Sequence, residues 1–488
     1  MSAIRRLPLI AVLVIVTLAI QPAWAGPRAH PAQAAQGQSA VAAPALTPDA
    51  PVPPAPRAGQ GRLDAVRQGK WPSQIAASTG AIRPNPHGPQ RTDTSTTLST
   101  GPAEGIPVHA YSPFDERRNR EYPCPPGGCE FMPGQLLVKL TPQTQPLPRR
   151  EQTAGRFTDD RALNNALAAQ GIVALEPIFP NAQPPKPGAL AMTPDGAAIP
   201  LPDLTRWHRA ALADASGDVY AVAESLAQLP GIAWAEPDYL RKPVGEQRSG
   251  GAEEQGSRGE SQLPASSFQL PASSFTDPLY AQQWHLAATN VPQAWDWLAS
   301  QGLPAGGNRD IVVAVIDTGV DYNHPDLAAN IWVNAAEFNG LPGVDDDGNG
   351  YVDDVHGADM ITNSGNPLDD HGHGTHVAWI IAAQAGNGAG GVGVTYNVQV
   401  MAIKAAQYSG VLASSDIAEG IYYAAAQGAD VINMSFGGYS RSQLEEDALA
   451  VAFGQAVLVA AAGNDAKVNL PCQYGRDMYP RRTTGFWG

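Results

Sequence analysis

Polar residues follow three of the four strongly apolar runs in the second half of the chain. The first run ends at Asp317-Thr-Gly, the third at Ser435-Phe-Gly, and the fourth at Gly463-Asn464-Asp. In parallel sheets, ligands bind beyond the carboxyl ends of the strands. If these runs are strands of one such sheet, a carboxylate, a small-residue edge and an amide meet in one crevice.

A histidine cluster, His371-Gly-His-Gly-Thr-His376, lies between the first two runs and leads into a predicted helix over 377–383. A histidine at the start of a helix is held neutral by the helix dipole, as a general base requires. A metal site is the alternative interpretation. It is disfavoured because the chain has no His-Glu-x-x-His motif and the spacing does not put two ligands on one helical face.

The polar residues described above would be positioned by four apolar runs that are rich in β-branched residues. These runs are 311–316, 398–403, 431–434 and 457–461. Helix-like segments such as 416–427 separate them. This alternation predicts an α/β fold with a doubly wound parallel sheet that is covered on both faces.

Four motifs in order resemble those of subtilisin-like serine proteases (peptidase S8). They are Asp317-Thr-Gly-Val-Asp-Tyr-Asn-His-Pro-Asp-Leu, His373-Gly-Thr-His-Val-Ala, Val431-Ile-Asn-Met-Ser-Phe-Gly-Gly and Val459-Ala-Ala-Ala-Gly-Asn. The resemblance implies that Asp317 orients His373, that His373 deprotonates a serine, and that Asn464 donates to the oxyanion.

The same resemblance implies a substrate cleft for protein or peptide substrates. Ser435, Phe436 and Gly437 would pair with extended substrate backbone by strand addition. Residues Ala461, Ala462 and Gly463 would line the specificity pocket. In the alternative interpretation, these strand ends only pack in the core.

Two departures from the family pattern affect the expected activity. Trp379 stands where the family nearly always has glycine, and it is expected to crowd the helix that carries His373. No Gly-Thr-Ser-x-Ala motif occurs in the 488 residues, so the nucleophilic serine is missing. We expect a chain truncated within its catalytic domain by a broken reading frame near residue 480, and inactive as written. The alternative is a non-catalytic, protease-like peptide-binding protein.

An acidic loop, Asp345-Asp-Asp-Gly-Asn-Gly, predicts a structural calcium site with Asp345, Asp347, Asn349 and Asp353 as ligands. The twelfth position of an EF-hand would be His356 rather than glutamate, so an EF-hand is disfavoured. By the resemblance, Asp326 is a further calcium ligand. A solvated acidic loop without a metal is the alternative.

Charge and the N-terminus restrict the partners and the location. The formal net charge of −15 argues against nucleic acid as a partner.

Residues 1–25 resemble a signal peptide, with Arg5 and Arg6 before an apolar run and Ala23-Trp-Ala at the cleavage site. This predicts secretion to the extracellular space or periplasm, with no membrane association after cleavage. An uncleaved signal anchor is the alternative.

The remaining chain divides by composition. Residues 26–130 are rich in Pro, Ala and Gly and are predicted to be disordered, with a possible disulfide between Cys124 and Cys129 and an unpaired Cys472. Residues 131–242 predict a small α+β domain, and 243–276 a linker that contains a seven-residue duplication. Residues 277–488 form the expected catalytic domain, which would be C-terminally incomplete.

The α+β segment 131–242 resembles the propeptides of the family and ends in Ala235-Glu-Pro-Asp-Tyr. By that resemblance it acts as an intramolecular inhibitor and lays its Tyr239 end across the substrate cleft. The alternative is a separate peptide-binding module.

Overall fold

The computed structural model describes residues 130–148, 151–152, 155–193, 196–244, 275–438 and 440–461. The predicted signal peptide and the three cysteines lie outside these residues, as do the Pro-rich segment except Glu130 and the duplication except Phe275. Among the described helices, none has the length and apolar character needed to cross a bilayer.

The first part of the described chain, residues 130–244, forms an antiparallel sheet with two helices on one face. The sheet contains β1 (Phe131–Leu140), β2 (Ile172–Pro177), β5 (Trp207–Leu212) and β6 (Ile232–Pro243) in the order β6-β1-β5-β2. A separate hairpin joins β3 (Leu190–Met192) and β4 (Ala198–Pro200). The helices are α1 (Arg161–Ala169) and α2 (Val219–Ala227), and each begins after an aspartate whose carboxylate accepts backbone N–H groups.

The second part, residues 275–461, contains a five-stranded parallel sheet in the order β13-β11-β7-β9-β8. Its strands are β7 (Val312–Asp317), β8 (Gly357–Asp359), β9 (Gln399–Lys404), β11 (Val431–Met434) and β13 (Val457–Ala460). Two short strands lie beside it, β10 (Leu412–Ala413) and β12 (Phe436–Gly437). The predicted α/β class with a parallel sheet is confirmed.

Helices cover both faces of the parallel sheet. They are α3 (Trp284–Ala288), α4 (Val291–Ser300), α5 (Ala335–Asn339), α6 (His373–Ala382), α7 (Ser414–Ala426) and α8 (Gln443–Phe453). Three short 3-10 turns complete the described helices, at Leu204–Arg206, Tyr280–Gln282 and Ala328–Asn330.

Strand β7 has a continuous apolar run, and the burial of both its faces explains why. Ala314 and Ile316 point into a core shared with α7 and α8, whereas Val313 and Val315 point into the core on the α4 and α6 side. A strand buried on both faces cannot alternate between apolar and polar residues. The continuous apolar run is therefore a direct consequence of the doubly covered sheet.

The two sheets are joined by a common core and by the end of β6. Leu137 and Trp207 of the first sheet belong to the same buried cluster as Ile417 of α7 and Leu444 of α8. Beyond Tyr239, β6 pairs antiparallel with β10 and then with β12. This path carries the chain to the carboxyl ends of the parallel strands.

Candidate active site

Asp317 and His373 form a buried hydrogen-bonded pair at the carboxyl end of β7. His373 Nδ1 lies 2.7 Å from Asp317 Oδ1, and the side chains are 7% and 2% exposed. A buried carboxylate at Nδ1 fixes the orientation and the tautomer of the imidazole. The arrangement leaves Nε2 facing the cleft, where a general base would act.

The first turn of α6 sits directly against the loop that follows β7. A Cβ atom on Gly374 would lie 2.1 Å from Gly319 O, so only glycine permits this approach. The Gly374 N–H donates to Thr318 Oγ1 at 2.9 Å. This close contact is what sets His373 beside the end of β7.

Two residues that the sequence interpretation overlooked hold this loop, Asp369 and Lys404. The Asp369 carboxylate accepts hydrogen bonds from the backbone N–H of Gly372 at 2.8 Å and of Thr375 at 2.9 Å. Burial raises the pKa of Asp369, but its hydrogen bonds outweigh that effect and hold the pKa below its usual value. Lys404 Nζ donates to Thr318 O at 2.9 Å. An aspartate four residues before a helix-initiating histidine is the signal that could have revealed the first of them.

The cleft beside His373 holds the chain's own residues 242–244 in extended conformation. Pro243 pairs antiparallel with Phe436, and Lys242 pairs with Gly437. The Val244 N–H donates to Ser435 O at 2.8 Å, and Val244 O lies 3.1 Å from His373 Nε2. The carbonyl group of Val244 thus lies beside the His373 imidazole. The residues in the cleft lie beyond Tyr239, which itself pairs with Phe131 in the first sheet.

Of the residues predicted to line the specificity pocket or to bind the oxyanion beyond β13, the structure describes only Ala461. Ala461 follows β13 and donates its N–H to Met434 O at 3.1 Å. Ala462, Gly463 and Asn464 lie outside the described residues, so their roles stay predictions.

Trp379 is accommodated without displacing His373. Its indole Nε1 donates to Asp326 Oδ2 at 2.7 Å, and its ring lies against Gly391, where a Cβ would meet Trp379 Cζ2 at 2.7 Å. The expected crowding of α6 is relieved by a glycine on the facing loop. The Asp326 carboxylate also accepts from Asn387 Nδ2 at 2.8 Å. Asp326 therefore lies with this loop and apart from the acidic loop.

The acidic loop gathers a different set of carboxylates from the predicted one. One oxygen each of Glu337, Asp347 and Asp354 lie within 4.8 Å of one another. Of the predicted ligands, Asp347 alone belongs to this group. The remainder, Asp345, Asn349 and Asp353, make hydrogen bonds within the loop, for example from the Gly350 N–H to Asp345 Oδ2 and from the Gly343 N–H to Asp353 Oδ2.

The oxygen atoms of the three carboxylates are suitable ligands for a hard cation. Carboxylate oxygens are the ligands that calcium prefers. Burial, opposed by hydrogen bonds and aided by the negative charges of Asp347 and Glu337, raises the pKa of Asp354 to about 6. A bound cation would offset that repulsion. EF-hand spacing could not have indicated Glu337, because it precedes the loop.

A model of a known protein family matches the second part of the chain. Residues 308–479 match the model of the subtilase family, Peptidase S8. The chain is 43% identical over 156 residues to subtilisin-like protease 1 of Plasmodium vivax, covering 32% of this chain and 24% of that protein. It is 33% identical over 202 residues to thermitase of Thermoactinomyces vulgaris, covering 41% and 61%.

Similarity to solved structures is weaker. Fervidolysin from Fervidobacterium pennivorans, described as a keratinolytic enzyme related to subtilisin, aligns with a TM-score of 0.40 and 23% identity over 71% of this chain and 42% of that one. The chain spans about a quarter of the length of the Plasmodium vivax protease that it matches.

Proposed function

We propose that the chain is the precursor form of a secreted serine endopeptidase, because residues 308–479 match the model of the subtilase family. Its substrates would be proteins or peptides that bind in extended conformation. Residues 131–244 would act as its intramolecular inhibitor.

The observation that carries the proposal is the position of Val244. Its carbonyl oxygen lies 3.1 Å from His373 Nε2, while its N–H is bound to Ser435 O. Backbone pairing to β12 gives the segment the geometry of an added strand. The carbonyl group of Val244 therefore lies where that of a scissile bond would be presented to the general base.

The proposed chemistry assigns roles to Asp317 and His373 of the described site and, by the family resemblance, to Asn464. Asp317 would hold His373 in the tautomer whose Nε2 accepts a proton from a serine hydroxyl, and would stabilise the imidazolium that results. Asn464 would donate to the oxyanion. The printed residues contain no Gly-Thr-Ser-x-Ala motif. We therefore propose that this chain binds peptides in its cleft but does not cleave them.

Labelling tests the inactivity. Separate samples of the full chain are treated with a serine-directed fluorophosphonate and with labelled casein. We expect neither labelling nor hydrolysis, since loss of the nucleophile costs about 10⁶ in turnover in subtilisin itself. Specific labelling of the folded chain would contradict the proposal of inactivity.

Restoring a serine tests the endopeptidase assignment. The chain is extended with the serine-motif region of thermitase, and the products are analysed by mass spectrometry. We expect cleavage after Val244, and none in the same extended chain with His373→Ala. If the extended chain folds and binds peptides but leaves the Val244 bond intact, the peptide-binding alternative is favoured.

We also propose that the acidic loop binds a structural calcium ion through Glu337, Asp347 and Asp354. Calcium that binds the native state alone raises the stability by mass action. Full-length chain should melt at a higher temperature with calcium than with chelator, and Glu337→Gln should abolish the difference. Asp353→Asn is the matched control and should retain it. Equal melting temperatures in the unmodified chain would exclude the site.

A further inference from the structure

The fourth residue before the proposed scissile bond, Arg241, is buried in a polar pocket of the cleft. Counting back from Val244, the residues are Pro243, Lys242 and Arg241. The Arg241 side chain is 1% exposed, and Glu445 is 2% exposed. Arg241 Nη2 lies 2.9 Å from Glu445 Oε1. Full burial of an arginine in a cleft segment is unusual and needs a specific partner.

The pocket is built by elements of the catalytic part of the chain. Glu445 lies in the first turn of α8, where the helix dipole stabilises its negative charge. Ser414, at the start of α7, donates its hydroxyl to Glu445 Oε1. Gly438 forms a wall, because a Cβ there would lie 2.9 Å from Arg241 Cδ. These residues would remain in place if another peptide replaced residues 240–244.

Strand β10 pairs with the cleft segment and fixes the register of Arg241. Leu412 of β10 pairs with Arg241, and Ala413 pairs with Leu240. The guanidinium carbon also lies 5.7 Å from the centre of the Tyr239 ring. The backbone on both sides of Arg241 is therefore bound to the cleft, so that its side chain can enter only this pocket.

From this geometry we infer that the cleft selects peptides with arginine four residues before the scissile bond, and that Glu445 is the specificity-determining residue. The inference rests on the proposed function, since it assumes that the strand in the cleft occupies the position of a substrate. A peptide with an apolar side chain at this position would bury the Glu445 carboxylate without a cation. Leaving one member of a buried ion pair unpartnered is strongly unfavourable, and sites built for a polar group reject analogues that lack it.

Peptide binding tests the inference without requiring catalysis. The full chain carrying Arg241→Ala is used, because the weakened internal strand can be displaced by an added peptide. Two fluorescent peptides are compared by anisotropy, Leu-Arg-Lys-Pro-Val, which repeats residues 240–244, and Leu-Leu-Lys-Pro-Val. We expect the arginine peptide to bind about 10- to 100-fold more tightly.

Substitutions in α8 test whether the preference for the arginine peptide comes from the Glu445 side chain. Glu445→Leu in the same background should reverse the preference in favour of the leucine peptide. The matched control is Glu446→Gln, one residue along α8, since Glu446 pairs with Arg441 instead. This control should retain the arginine preference.

The outcomes separate the inference from the proposed function. Binding of both peptides with equal affinity would overturn the selectivity and leave the peptide cleft intact. Binding of neither peptide to any variant would count against the cleft itself and so against both.

A second measurement covers the case in which Arg241→Ala does not fold. In the otherwise unmodified chain, Glu445→Gln should raise the rate of tryptic cleavage after Arg241 at least about tenfold, because release of the arginine exposes the bond. Glu446→Gln should leave that rate unchanged. Equal rates in the two variants would overturn the inference.

Discussion

At the scale of single residues, Trp379 shows how a large side chain is tolerated on α6, the helix that carries His373. The indole fills the space above Gly391 and gives Asp326, which is 1% exposed, one of its hydrogen bonds. Hydrogen bonds to buried charged groups contribute about 1.5–3 kcal/mol each. The residue is therefore a stabilising contact between α6 and the facing loop.

Replacing Trp379 with phenylalanine should lower the free energy of unfolding by about 1–3 kcal/mol, because Asp326 stays buried and loses a donor. Urea denaturation of the full chain measures the change. Trp297→Phe, at a position that is 46% exposed, is the control and should change stability by less than about 0.5 kcal/mol. Equal effects of the two substitutions would show that the indole hydrogen bond is unimportant.

His208 is a buried titratable residue of β5 and confers a pH dependence. Burial, with a smaller contribution from the Arg206 charge and partly offset by the backbone hydrogen bond at Arg206, lowers the pKa of His208 to about 4. In the unfolded chain the usual pKa is about 6.5. The stabilisation is therefore complete above pH 6.5 and is lost as the pH falls from 6.5 towards 4.

Replacing His208 with leucine should remove this dependence. The free energy of unfolding of the unmodified chain should fall by roughly 3 kcal/mol more than that of the variant between pH 7 and pH 4. Urea denaturation at several pH values provides the comparison. Parallel curves for the two proteins would disprove a role for this imidazole.

At the scale of elements, two carboxylates of β6 bind the N-termini of two helices in the second part of the chain. Asp238 Oδ1 accepts from the Ser415 N–H of α7 at 3.0 Å. Glu236 accepts from the Gln443 N–H of α8 at 2.9 Å and from Ser442 Oγ at 2.8 Å. The unpaired N–H groups of a helix start are natural sites for anions. One strand thus fixes the positions of both helices that line the pocket for Arg241.

Removing the Glu236 carboxylate should loosen α8 relative to the first sheet. Glu236→Ala is expected to lower the free energy of unfolding by about 1–3 kcal/mol, since a helix start loses its capping acceptor. Glu224→Ala, on the exposed face of α2, is the matched control and should be close to neutral. A neutral effect of Glu236→Ala would indicate that water replaces the carboxylate.

At the scale of the whole molecule, the described parts of the chain share one buried interface. Arg209 of the first sheet lies 3.3 Å from Glu419 of α7 and also pairs with Asp416 at 2.5 Å. Trp207 Nε1 and Lys139 Nζ both donate to Asp447 of α8, at 2.8 and 2.6 Å. The pairs of Arg209 are buried and the Lys139–Asp447 pair is partly buried, so separating the two parts would leave charges without partners.

A chain without residues 130–244 should therefore fail to reach a well-packed state. Its α7 and α8 surfaces would expose apolar side chains that now pack against Leu137 and Trp207. We expect binding of a hydrophobic dye and no cooperative melting transition, in contrast to the full chain. A sharp transition in the shortened chain would show that its core is independent of the first sheet.

Residue types next to strand ends were enough to predict the parallel sheet and the place of Asp317 at the end of β7, whereas the pairing of Asp317 with His373 was predicted from the family resemblance. Each polar residue directly follows an apolar run, and the order of parallel strands brings such ends together. The spacing of apolar residues along the chain is a local property, so strands can be predicted from it without knowledge of how they pack. For the same reason, the β-branched runs predicted the core strands to within a residue or two.

Tertiary structure alone decided which distant residues share a site. The carboxylate cluster of the acidic loop contains Glu337 and Asp354 in place of the predicted Asp345, Asn349 and Asp353, because the loop folds back on α5 and backbone N–H groups of the loop bind Asp345 and Asp353. Residues 240–244, assigned in part to a linker, lie in the cleft, and Arg241 meets Glu445 from far along the chain. Such contacts depend on the packing of whole elements, and no local pattern in either segment encodes its partner.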